Sequence, residues 1–359
     1  MYWRPELLVA LAFFALVTVG LVFASNRGVA LHYYKSVYWK IILMMLAIAW
    51  LTREHKDFSK YSISIVLFGM LVGITALYNK FNGIGMVEET RVTIGRHLGS
   101  VLGDPNDLAL VLMFPFAFAV GLALTKSLAS SHRLVGIIGT PIFFFAVLAT
   151  QSRGGLLGVL SILAVFGYRK IKSKVLLASL AAITAIILFA VAGIADRKSG
   201  GAAEEGLDAS AQGRLYAWEA AAKMAVENPL TGVGIDNFYS NYYYYSSHWD
   251  GLNHAVHSTW FGVLAETGFI GLLVFITLII CLLVSTKCSL ETIINYQYWR
   301  NAKEQAIMTA TSESLLAGLI ATIVSGTFLT QGFTWPIYIF AGLVVALAQW
   351  TQANCTNKA

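Results

Sequence analysis

Apolar stretches long enough to cross a bilayer recur along almost the whole chain, and this repetition restricts what the chain can fold into. An apolar run of roughly 17 to 25 residues spans the hydrocarbon as a helix, which satisfies its own backbone hydrogen bonds. Ten segments meet or approach that length, near 7–24, 33–51, 61–78, 107–125, 134–151, 154–168, 175–194, 258–285, 309–330 and 335–350. Lys35 and Lys40 interrupt the second, and the sixth is short. Composition agrees: 57% of the residues are hydrophobic and 12% charged, against about a quarter charged in a soluble domain. The expectation is an all-α polytopic integral membrane protein of about ten transmembrane helices, forming a single membrane domain over 1–359. The run after MYWRPE could pass for a signal peptide cleaved near Ala24, but its length favours an uncleaved first span.

The formal charge of +6 does not point to nucleic acid, because the cations lie scattered between apolar runs rather than on one basic face. Cys281, Cys288 and Cys355 lack metal-ligand spacing and suggest no disulfide. With the N-terminus inside, the cytoplasmic segments hold fourteen cations and five acids, and the other side eleven cations and thirteen acids. The segment RKIKSK, 169–174, weighs most in that orientation. The long polar segment 195–257, between the seventh and eighth spans, then lies outside. Two acids fall within spans. Glu313, about one turn from its cytoplasmic end, reads as snorkelling; Glu266, deeper, calls for a structural partner or a part in chemistry.

Segment 195–257 opens with ADRKSGGAAEEGLDASAQG, too rich in Gly, Ala, Ser and acids to bury much. From about 211 to 228 the pattern becomes that of an amphipathic helix along the membrane surface, with Leu215, Trp218, Ala222 and Ala225 at helical spacing and Asn228-Pro229 as the stop. Arg214 falls in or next to its first turn, where the macrodipole disfavours a cation unless an anion binds there; the alternative is a solvated surface arginine. Arg153 stands in a similar place in TQSRGGLLG, after the potential cap Ser152, and is either a headgroup or a ligand contact. Gly154 and Gly158 suit close helix packing.

GVGIDNF, 232–238, lacks the third glycine and the strand-to-helix setting of a dinucleotide loop and reads as a turn. The aromatic run NYYYYSSHW could stack on sugar rings or anchor at headgroup level. His254 and His257 precede the eighth span, and histidine is the most available general base near neutral pH. In a continuous helix His257 and Glu266 would lie about 13 Å apart along the axis on opposite faces, so they form no catalytic pair. In LGDPNDLAL, Asp104, Asn106 and Asp107 are candidates, and capping accounts for Asn106 or Asp107. No DxD-like pair of carboxylates appears in an outer segment, so neither metal nor other cofactor is expected; two arginines could neutralise a diphosphate instead.

The order QSRGG, then GRLYAW with ENPLTGVGIDNF, then HSTWFGVLAETGFIGLL resembles the bacterial O-antigen ligase and polymerase superfamily over about residues 95–285. GDPNDLAL and the HS pair look more like the ligase-type members that accompany exosortase systems. The resemblance implies transfer of a glycan from an undecaprenyl diphosphate carrier, on the outer face of the bacterial inner membrane, to an acceptor that is a lipid A core, a glycan or a protein. It implies that Arg153 and Arg214 bind the diphosphate and that His257, preferred to His254 by its spacing to LAETG, is catalytic. His254, Glu266, Asp104, Asn106 and Trp218 are candidate supporting residues. Ser258 stands where the family commonly has Asn, and the family often has about twelve spans. The alternatives are a polysaccharide polymerase or protein O-oligosaccharyltransferase of the same superfamily, a lipid-linked sugar transporter or flippase, and a non-catalytic scaffold.

Overall fold

The computed structural model describes residues 1–179, 182–183, 209–299 and 301–356. Most of the seventh expected span and the first part of the long polar segment lie outside those residues. Eight described helices are long and apolar enough to cross a membrane. In chain order they are α1 (Pro5–Phe23), α2 (Arg27–Leu51), α3 (His55–Asn82), α4 (Pro105–Leu124), α5 (Ser130–Thr150), α9 (Thr259–Asn295), α10 (Ala302–Gly326) and α11 (Trp335–Thr356). The expected sixth span is α6 (Arg153–Lys170), which carries cations at both ends. Two further helices, α7 (Ala209–Glu227) and α8 (Phe238–Tyr245), lie in the long polar segment. One antiparallel hairpin, β1 (Met86–Val87) and β2 (Arg91–Val92), precedes α4. The protein is thus an all-α polytopic membrane protein.

Local chemistry sets the helix ends. The carboxylates of Glu54 and Asp57 form a reciprocal capping box at the start of α3, and Asn26 caps α2. Ser152 caps α6, whose last turn carries Arg169 and Lys170, where cations complement the macrodipole.

The chain divides into two compact units. The first comprises Met1–Trp50, the described part of 198–282, and Gly326–Val345. Phe13 packs against Phe275 and Phe333 there, with ring centroids 5.3 and 5.9 Å away, and the buried hydroxyls of Tyr38 and Tyr338 lie 3.2 Å apart. The second comprises the described part of 51–197, Leu283–Ser325 and 346–356. Its helices meet at small residues: Gly69 of α3 faces Pro115, Gly136 of α5 faces the backbone of α4 at Ala119 and Ala123, and Gly155 and Gly158 of α6 face Ala109 and Met113. In lipid, such close backbone approach replaces the missing hydrophobic drive between helices.

Two expectations change. Glu313 does not snorkel: it is 2% exposed and accepts from Arg169 Nε at 3.0 Å, with Lys170 Nζ 3.4 Å away. Arg169 and Lys170 come from the neighbouring helix end, so the acid is paired inside the unit. The eighth span is not one continuous helix either. Gly268, at φ 69 and ψ −171, breaks α9, and a side chain there would run into the backbone at Pro229 and Leu230. Stretch 269–295 would by itself measure about 40 Å, enough to cross the hydrocarbon, which leaves 259–267 as a separate short helix.

Candidate active site

In the first unit, the described part of the long polar segment has a core of its own. Ala217, Ala220, Ala221 and Met224 of α7 pack with Val233, Phe238, Tyr242, Val256 and Ala265, and Trp218, Tyr245 and Phe261 close over them. The expected apolar stripe is therefore rotated. Leu215 is exposed and the alanine face is buried, because α7 packs on protein and only small side chains fit that contact. Arg214 is the sixth residue of α7 as described. Four residues on, Trp218 Nε1 donates to Val256 O at 3.1 Å, and the indole stacks on Phe261 with centroids 5.1 Å apart.

His257 follows Val256 directly and has φ 44, a left-handed conformation that side chains other than Gly rarely adopt. It is half-buried, between the buried Val256 and Ser258. The backbone on its far side is fixed as well: Ser258 Oγ accepts from Phe261 N at 3.5 Å, Thr259 Oγ1 donates to Leu329 O at 2.7 Å, and Gln331 N donates back to Thr259 Oγ1 at 2.9 Å. A residue held in a costly conformation by bonds on either side is a device seen at functional sites. Among the described residues, the other non-glycine positions with positive φ are Glu88, Glu89, Gln151 and Asp236. Glu88 and Glu89 lie within three residues of Arg91, and Gln151 within two of Arg153; Asp236 lies in the turn whose amides hydrogen-bond Glu266.

Glu266 has the structural partner its depth called for. Phe238 N donates to its Oε1 at 3.2 Å, and the amides of Asp236 and Asn237 also hydrogen-bond it, so the carboxyl caps the start of α8. The GVG turn docks beside it: Val233 N donates to Ala265 O at 2.8 Å, Gly234 N to Glu266 O at 3.2 Å, and Phe269 N to Pro229 O at 2.9 Å. Gly232, at φ 62, lies against the backbone of Ala265 and Thr267, an approach only glycine allows. His257 and Glu266 thus serve different surroundings, as the spacing argument anticipates. His254 Nε2 lies 3.0 Å from both oxygens of Asp250, with its ring edge-on to Tyr242. Asp250 is held below the usual carboxylate range by that hydrogen bond. Tyr243, Tyr244 and Trp249 are exposed.

Arg153 belongs to the second unit, as the first residue of α6. Ser152 Oγ accepts from Gly155 N at 3.2 Å and donates to Asn106 Oδ1 at 2.9 Å. The cap of α4 is Asp104, which accepts from Asn106 N at 2.7 Å and Asp107 N at 3.4 Å. Capping therefore falls to neither Asn106 nor Asp107: Pro105, with its fixed φ, takes the first helical position and leaves the preceding residue as cap. Asn106 is buried and has another use, since Arg91 Nη2 donates to its Oδ1 at 3.0 Å. Sequence reasoning passed over Arg91. The turn before it, Glu88-Glu89-Thr90, has no Gly or Asn to announce a hairpin.

The fold defines a polytopic α-helical membrane protein whose long polar segment, in its described part, folds around a core of its own and carries candidate histidine and arginine residues. Residues 138–276 match the family model Wzy_C, O-Antigen ligase. The match covers less than half of the chain, includes Arg153, Arg214, His257 and Glu266, and supports the O-antigen ligase and polymerase superfamily. It indicates an O-antigen ligase-like or polymerase-like membrane enzyme. No curated protein matches the chain.

Proposed function

We propose that this protein is a glycosyltransferase of the O-antigen ligase type. It moves a glycan from an undecaprenyl diphosphate carrier to an acceptor hydroxyl, with inversion and without metal, on the outer face of the bacterial inner membrane. The observation that carries the reading is the restraint on His257. Its backbone is left-handed, its neighbours are buried, and bonds from Trp218 and Thr259 fix the chain on both sides, within the segment matched to O-antigen ligase.

In this reading His257 takes the proton of the acceptor hydroxyl as that oxygen bonds to the anomeric carbon. The bond from that carbon to the diphosphate oxygen breaks with both its electrons. Arg153 and Arg214 then stabilise the charge left on the carrier diphosphate. Glu266 and Trp218 act on the scaffold and touch neither donor nor acceptor.

Purified protein reconstituted with a carrier-linked glycan and candidate acceptors tests this. Joined product is expected from the wild type, and none from His257→Ala, which still binds donor. Movement of donor between leaflets without joining, or full activity in His257→Ala, would overturn the reading. The acceptor class is read by deleting the gene and running surface glycans on a gel: full-length chains left on the carrier indicate a ligase, single repeat units a polymerase.

A further inference from the structure

The second unit contains a buried cation that the proposed mechanism does not use. Arg91 is 3% exposed, and its guanidinium reaches several elements: Nε donates to Thr150 O at 3.1 Å, Nη2 donates to Asn106 Oδ1 at 3.0 Å, and Nη1 lies 3.7 Å from Glu88 Oε1. The first two partners grip one turn from both sides. Thr150 ends α5, and its carbonyl is among those a helix C-terminus leaves without an intrahelical donor. Asn106 passes the contact on to Ser152 Oγ, which caps α6 at Gly155 N. Between these fixed points lie Gln151, at φ 49, and then Arg153. The hairpin that delivers Arg91 is itself strained, with Glu88 at φ 50 and Glu89 at φ 61.

A buried guanidinium is a poor device for stability alone, because its desolvation offsets most of what its bonds return. An apolar or amide side chain could fill the same space without that cost. What only an arginine supplies is a planar fork that bonds two elements at once and a permanent positive charge. Both are spent on the turn that carries Arg153. We propose that Arg91 is a positioning residue for Arg153: it fixes the turn 150–153 and adds its charge to the potential there, so that Arg153 meets the donor diphosphate already oriented. The inference rests on the glycosyltransferase reading above and on the role that reading gives Arg153.

The test is donor kinetics with the full chain in liposomes, using the undecaprenyl diphosphate-linked glycan as the varied substrate. Arg91→Gln is expected to raise donor KM about tenfold with kcat within about twofold. Combined with Arg153→Lys, it should add little to the loss that Arg153→Lys causes alone, because both changes remove the same orientation. Arg91→Lys keeps the charge but gives up the planar fork whose separate nitrogens serve Thr150 and Asn106, so its KM should fall between wild type and Arg91→Gln. That variant decides the matter if Arg91→Gln fails to fold. A loss confined to kcat or to the amount of folded protein, or fully additive effects with Arg153→Lys, would reduce Arg91 to a structural residue. Inactivity of the wild type toward every acceptor would instead remove the glycosyltransferase reading, and this inference with it.

Discussion

The indole N–H of Trp218 donates to the backbone carbonyl of Val256 at 3.1 Å, which ties α7, the helix of Arg214, to the residue before His257. The indole also stacks on Phe261, so one side chain holds the loop by its ring and by its N–H.

Trp218→Phe should separate those two functions. It keeps much of the stacking but leaves a buried carbonyl unpaired, at a cost of about 1–3 kcal/mol. Thermal unfolding should shift downward, and transfer should slow by roughly tenfold or more, since small displacements of a catalytic group are expensive. Donor binding should change less than the rate. Wild-type rates in Trp218→Phe would show that the bond does not position His257.

The two histidines should part company on mutation. His254 is engaged by Asp250, with both partners well exposed, so His254→Ala should cost less than about fivefold in rate, while His257→Ala abolishes transfer. The same pair sets a pH response. The folded state holds the Asp250 carboxyl below its usual range, so its small contribution is complete above about pH 4, the ordinary carboxylate value. It is lost as pH falls through the lower folded value. Hydrogen-exchange protection factors across 246–256, corrected for the intrinsic pH dependence of exchange, should stay level from pH 7 to about 5 and fall only below about 4. Loosening already complete at pH 5 would assign the effect to another group.

Most of the spans were legible because an apolar run of bilayer length has a single cheap solution. What escaped was geometry that depends on a distant partner. The face of α7 was misread because alanines carry no strong periodic signal and Leu215 does, although packing space rather than apolarity chose the buried side. Gly268 could be seen but its break could not, since a lone glycine inside a span is usually tolerated. Glu313 was read against solvent because Arg169 and Lys170 are far away in the chain. In the candidate site, the positions of Arg153, Arg214 and His257 leave each open to a bland reading, and it is the resemblance to the O-antigen ligase superfamily that implies their roles. Arg91 was passed over, because its meaning comes wholly from Thr150 and Asn106.

Glu266 offers a test of scaffold against chemistry. As the cap of α8, it should be replaceable by Gln, whose carbonyl oxygen can still accept from Phe238 N, at less than half the cost of Glu266→Ala. The alanine variant is expected to lose about 1–2 kcal/mol, with faster hydrogen exchange confined mainly to 236–245. Retained transfer in Glu266→Gln fits the scaffold role. Loss of transfer with unchanged exchange would move Glu266 into the reaction.

The Glu313 cluster predicts an asymmetry. Glu313 is buried, whereas Arg169 and Lys170 keep part of their side chains in solvent. Removing the acid leaves two cations that can turn outward to water or headgroups. Removing Arg169 leaves a buried carboxylate with one weaker partner at 3.4 Å, and breaking a buried pair in that direction costs about 3–5 kcal/mol. Arg169→Ala should therefore destabilise the protein more than Glu313→Ala, and Arg169→Ala/Glu313→Leu should recover most of the difference. Unfolding in detergent micelles, followed by the four variants in parallel with wild type when Lys170→Ala is included, measures this directly. Equal losses for Arg169→Ala and Glu313→Ala would mean that the carboxylate is hydrated where it lies.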